Sequence, residues 1–169
     1  MRFHLLVSLL LLGGGLAMPS RAEYKLYPGA KQDLDVQKAS EIIMAEHVSL
    51  GATTTAMTSP DPFEKVLAFY QKLGKEVRPP AIPGLALNGY ERELPTEVKL
   101  GPRGLEGTPS GVKVKSVYFI LDGAAEYEAS KDTLMIASPM VLGINEDPNG
   151  RMHYSNIKPG TSIIRVQIK

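Results

Sequence analysis

Ser162-Ile163-Ile164-Arg165-Val166-Gln167-Ile168-Lys169 alternates apolar and polar side chains along its length. A strand turns successive side chains to opposite faces, so the pattern predicts a strand with Ile164, Val166 and Ile168 inward and Arg165, Gln167 and Lys169 in water. A segment at the end of a sequence frays unless a sheet ties it down. Its expected partners lie upstream. Val112–Leu121 begins in period-2 alternation and becomes wholly apolar, and Thr133–Ser138 is a second apolar run, resuming after Pro139 at Met140–Leu142. Asp122-Gly123 and the segment from Asn145 to Gly150 carry turn chemistry.

Further upstream the period changes. Phe63, Val66, Leu67, Tyr70 and Leu73 share one face of a 3.6-residue repeat and predict a helix. Asp61 stands at its cap position, Pro62 at its first turn, Glu64 completes a capping box, and Gly74 is placed to end it in the left-handed conformation. Asp33 to about Val48 is also helical in pattern: Leu34, Val36, Ala39, Ile43 and Ala45 form the apolar stripe, with Gln37, Lys38, Ser40, Glu41 and Glu46 facing water. Ala52 to Thr58 is rich in β-branched threonine and reads as a strand. Tyr27-Pro28-Gly29-Ala30 reads as a turn. From Glu76 to Gly111 the prolines and glycines break any long element, leaving a short strand around Leu85–Glu93 and an exposed loop from Gly101 to Gly111. Two early helices and a strand-rich C-terminal half predict an α+β fold, the helices packed on one face of a mainly antiparallel sheet.

Residues 1–22 have the form of a cleavable signal peptide: Arg2, the apolar run Leu5–Leu12, and Ser20-Arg21-Ala22 as a small-x-small cleavage site before Glu23. The apolar run is shorter than the ~20 residues a membrane-spanning helix needs. The expected product is residues 23–169, one α+β domain, exported to the periplasm or the extracellular space and not inserted in a membrane after cleavage. The chain has no cysteine, so disulfides cannot support the fold and packing must. Without Arg2 and Arg21, 17 basic residues face 18 acidic ones, and no basic cluster of the kind that binds nucleic acid is present.

The blocks Tyr27-Pro28-Gly29-Ala30, Asp61-Pro62-Phe63-Glu64-Lys65-Val66 with Phe69-Tyr70, Phe119-Ile120-Leu121-Asp122-Gly123-Ala124, and Ser130-Lys131-Asp132 resemble blocks shared by small exported bacterial proteins of unassigned function. That group often carries a tryptophan just after the Ser-Lys-Asp block, where this chain has none. The resemblance implies export and a similar fold. It brings no activity, cofactor or catalytic residue.

Candidate chemistry is sparse. Asn145-Glu146-Asp147-Pro148-Asn149-Gly150 imitates the start of a calcium loop, but Asn156 stands where the bidentate glutamate belongs, and a plain turn explains the same residues. His47 and His153 are too far apart in sequence to read as a zinc pair. Ser110 with Lys113 and Ser155 with Lys158 match a serine–lysine pattern without its companion motifs. Gly101, Gly104 and Gly107 lack the spacing of a nucleotide loop. Asp122 with Asp132, or Glu126 with Glu128, could pair for acid–base work, though surface charge accounts for them. Phe63, Phe69, Tyr70, Tyr118 and Phe119 sit at core spacing. No catalytic, metal or cofactor residue is singled out, and no cofactor is expected. The favoured reading is a small exported binding or interaction module without chemistry of its own, its partner a protein or a small molecule. The alternative is a small hydrolase or metal-dependent enzyme whose site forms only in three dimensions.

Overall fold

The computed structural model describes residues 24–43, 51–78, 83–102 and 104–169. The signal-peptide reading, His47 and the far end of the first helix lie outside them. Strand dominates: ten strands stand against two short helices among the described residues, so the fold is closer to all-β than to the α+β expectation.

The alternating segment is strand β10 (Thr161–Ile168), and it lies in the interior of an eight-stranded sheet. On one side it pairs antiparallel with β2 (Ala52–Ser59), Ile164 opposite Ala56. On the other it pairs with β7 (Asp132–Ser138), Ile163 opposite Ile136. Beyond β7 come β6 (Gly104–Ile120), β5 (Glu91–Gly101) and the short β4 (Leu87–Asn88), while β1 (Lys31–Gln32) edges β2 and β3 (Lys75–Val77) adds to β6. A separate hairpin is made by β8 (Met140–Glu146) and β9 (Met152–Lys158).

Both faces of the sheet are covered, and this changes the reading of β10. Helix α2 (Phe63–Tyr70) lays Phe63, Val66, Leu67 and Tyr70 on the first face, against Val117, Phe119, Leu134, Ile136 and Ile163. Each such side chain taken wholly from water contributes roughly 1.5–3 kcal/mol. On the second face helix α1 (Leu34–Ile43) brings Val36 against Ala56, Ile164 and Val166. The helices therefore sit on opposite faces, where one shared face was expected. Nor is the alternate set of β10 in water: Ile163 is buried, and Arg165, on the first face, holds the buried Asp132 through Nε and Nη2 at 2.8 and 2.6 Å. A polar residue on a central strand marks an ion pair here.

Local details differ from expectation in instructive ways. α2 forms where predicted, but Pro62 is its cap residue and no side chain caps it. Asp61 instead accepts from the Tyr27 hydroxyl at 2.7 Å and from Lys65 at 3.0 Å, fastening the Tyr27–Ala30 turn to the helix. Gly74 serves close approach and not a left-handed turn: a Cβ there would come within 2.9 Å of the Ile120 carbonyl. In α1, Asp33 caps the first turn through Oδ1, Ser40 is buried rather than wet, and Leu34 is exposed. Where a loop was expected, Gly101 ends β5 and 104–111 are strand, so the segment belongs to the long β5–β6 hairpin. Its prolines did not prevent pairing because Pro95 lies opposite Pro109 and the register shifts on either side of Pro95. Neither residue has an N–H to leave unpaired.

Candidate functional site

Packing on the second face is incomplete. Between the sheet, α1 and the β8–β9 hairpin lies a cavity of about 450 Å³, inside the range of roughly 300–1,000 Å³ that small-molecule sites occupy. Strand alternation decides what lines it. Every second residue of the central strands points to this face, so the floor is Ser162 and Ile164 of β10, Met135 and Ala137 of β7, and Val114, Ser116 and Tyr118 of β6. α1 supplies Val36, Ala39 and Ser40 as one wall. Val141, Ile144, Met152 and Tyr154 of the hairpin form another, and the Tyr154 hydroxyl donates to the Pro95 carbonyl at 2.6 Å, pinning the hairpin to the irregular part of β5. The remaining side is β5 itself, from Arg92 to Val98.

Most of this lining is hydrocarbon, and its polar groups are largely engaged. Ser40 Oγ donates to the Gln37 carbonyl, Ser162 Oγ to the Ala137 carbonyl, and Thr96 Oγ1 to the Thr108 carbonyl. Glu97 is ion-paired with Lys99 at 2.8 Å. Arg92 is the exception. It faces Val114 across the β5–β6 ladder, its Nη2 gives one hydrogen bond to the Ser116 carbonyl at 3.3 Å, and its Nε is buried with no acceptor. No carboxylate among the described residues is within ion-pair distance of it. Burial pushes the Arg92 guanidinium below its ordinary pKa, with Tyr118 acting the other way. Burial also raises the Tyr118 phenol, with the Arg92 charge opposing it. A guanidinium remains charged in any protein environment.

The residues weighed from the sequence lie elsewhere. Asp122 accepts from the Lys131 and Ala124 backbone N–H groups at 2.7 and 3.1 Å and from the Ser130 hydroxyl at 2.9 Å, which ties the β6–β7 turn. Its partial burial would raise its pKa, but those three donors outweigh that and hold the carboxyl below the usual range. Asp132 belongs to Arg165 on the other face of the sheet. Glu126 and Glu128 are exposed. Asp147 accepts from the Asn149 and Arg151 N–H groups at 2.8 and 2.9 Å and has His153 Nε2 at 3.4 Å, so the calcium-like segment is the β8–β9 turn. Among the described residues no group of three His, Asp or Glu side chains could hold a metal ion. Ser110 Oγ accepts from its neighbour Val112, and Ser155 and Lys158 are exposed on β9. Of the aromatic residues assigned to the core, Phe63, Tyr70 and Phe119 are there and Phe69 packs beside them, while Tyr118 lines the cavity.

The geometry is thus that of a mainly antiparallel β structure with a lined cavity on one face. No protein-family model, curated protein or solved structure matches the chain.

Proposed function

We propose that the protein is a small exported binding module, without chemistry of its own, that takes an apolar small molecule into the cavity between the sheet, α1 and the β8–β9 hairpin. One observation carries the reading. A sheet whose first face carries the α2 cluster leaves a space of about 450 Å³ on the second, walled by side chains from α1 and from β5 to β10, seven elements in all. Interiors are otherwise packed nearly as densely as organic crystals, so a void of this size is an unfilled volume that a ligand's apolar surface would occupy favourably. Export rests on the form of residues 1–22.

The test is titration of the purified protein with a neutral environment-sensitive fluorophore, N-phenyl-1-naphthylamine, beside an Ala137→Phe variant. Ala137 projects from β7 into the cavity, so the larger ring obstructs it. Saturable binding by the parent that drops at least tenfold in the variant, with the circular dichroism spectrum kept, is the expected result. No saturable binding, or equal binding by both, overturns the reading.

A further inference from the structure

We propose that the ligand is a monoanionic amphiphile, a single carboxylate on an apolar chain or ring system, whose head group is held by Arg92. The inference rests on the cavity being a ligand site and says what kind of ligand it takes. Arg92 is a permanent positive charge set in a mostly hydrocarbon wall, with one backbone acceptor and a buried Nε that has none. A charge in such surroundings is costly unless it is paired and hydrogen-bonded. Two other ionic groups of the sheet have that provision: Arg165 is forked onto Asp132, and Glu97, on the same cavity wall, holds Lys99. Arg92 alone among these lacks a counter-charge. A carboxylate delivered by a ligand supplies both the charge and the acceptors, and guanidinium–carboxylate contacts are among the strongest hydrogen bonds available to proteins.

The charge count narrows the head group. A carboxylate neutralises Arg92 one for one. A phosphate monoester carries about −1.5 to −2 at neutral pH, which would leave surplus negative charge against an apolar wall that already contains Glu97. The apolar lining accounts for the rest of the molecule. Met135 and Met152 suit an irregular hydrocarbon shape, because the unbranched thioether adapts to gaps.

The experiment compares three ligands of equal chain length on the whole protein by isothermal calorimetry below their micellar concentrations: dodecanoate, dodecanol and dodecyl phosphate. The same titrations are made on Arg92→Met and Arg92→Lys. Dodecanoate should bind the parent at least tenfold more tightly than the alcohol or the phosphate. Arg92→Met should lose that tenfold advantage for dodecanoate and bind the alcohol as the parent does, while Arg92→Lys should keep part of the advantage. Equal affinity for acid and alcohol overturns the anion assignment and leaves the cavity reading standing. A preference for the phosphate overturns the carboxylate assignment. Binding of none of the three, with the neutral fluorophore also excluded, removes the cavity reading itself. A fall in alcohol affinity equal to the fall in acid affinity for Arg92→Met makes Arg92 a support of the cavity wall and overturns its head-group role.

Discussion

Replacing Arg165 with methionine isolates the ion pair that the alternating sequence hid. Arg165 reaches Asp132 through two nitrogens at 2.8 and 2.6 Å, the Asp132 side chain is 6% exposed and that of Arg165 21%. Its guanidinium also lies 4.1 Å from the centre of the Tyr24 ring. Removing one partner of a buried pair costs about 3–5 kcal/mol. The partial exposure of Arg165 puts the expectation near 3 kcal/mol, the lower end of that range, and the lost ring contact adds about 0.5–1 kcal/mol. Methionine keeps the unbranched stem, so little of the loss arises from packing. A protein of this size has about 5–15 kcal/mol to lose, so the variant should fold but melt early. Urea denaturation followed by circular dichroism should show a lower midpoint with unchanged slope, the sign that stability and not compactness has changed. A double variant, Asp132→Leu with Arg165→Met, should recover part of the loss, since an apolar pair can replace a buried ionic one. A loss under about 1 kcal/mol would mean that the pair contributes no more than an exposed one, and the two-sided burial of β10 would be wrong.

The same exchange on the other face should behave oppositely. Arg92→Met gives up one hydrogen bond but also removes a partly buried charge with no counter-ion, so unliganded stability should stay level or rise by about 1 kcal/mol in the same urea assay; a fall beyond about 2 kcal/mol would make Arg92 structural. Asp122 has a folded-state pKa below its ordinary value, so its contribution is complete above about pH 4, where the unfolded group titrates, and is lost as pH falls through the folded value. Asp122→Asn should therefore cost about 1–2 kcal/mol at pH 7 and flatten the stability profile below pH ~4, and an unchanged acid limb would contradict this. Val166→Asp puts a carboxylate into the cluster beneath α1 and should unfold the protein, whereas Gln167→Asp, opposite Asp132 in the β7–β10 register, should cost about 1 kcal/mol through like-charge repulsion. Thermal melts of the two variants check the register, and equal losses would refute it. Asp61→Ala should cost about 1 kcal/mol because it frees the Tyr27 hydroxyl. Tyr27→Phe should then show most of the same loss, and an unaffected Tyr27→Phe would return the effect to the helix.

Where local signals agreed, the sequence was informative. β2, β7 and β10 lie within a residue or two of where β-branched content or alternation placed them, α2 begins where helical spacing placed it but ends at Tyr70, short of Leu73, and β10 does pair with the strand at 132–138. The failures share a physical origin, which is that cover supplied by distant segments is invisible to a local pattern. Gln167 and Arg165 looked wet because alternation records polarity and not what stands above the sheet. From Glu76 to Gly111 no long element was expected, and 101–111 read as a loop, because prolines and glycines weaken a strand taken alone, whereas in the sheet Pro95 and Pro109 face each other. β9 was missed outright, since Met152-His153-Tyr154-Ser155-Asn156 has little apolar content and forms a strand by pairing with β8. Arg92 could not have been found as a site residue: Glu91-Arg92-Glu93 reads as surface charge until β6 and the hairpin enclose one side of it. The only available hint was the alternation that sets Arg92 and Leu94 on one face and both glutamates on the other.

The interior position of β10 also governs the order of assembly. β2 can gain this neighbour only by joining residues more than a hundred positions apart, Ser59 with Thr161 and Ala52 with Ile168. Contacts of such long sequence separation make folding slow, because the loop must close before the pairing repays it. Until that strand inserts, β2 and β7 each present a bare edge, and the cavity lacks the part of its floor formed by Ser162 and Ile164. Closure of the sheet and completion of the cavity are therefore one event. A ligand entering the cavity as proposed would recognise only the finished protein, and at a hundred times its dissociation constant it would deepen the native state by about 2.7 kcal/mol, acting as a brake on reopening of the sheet along β10.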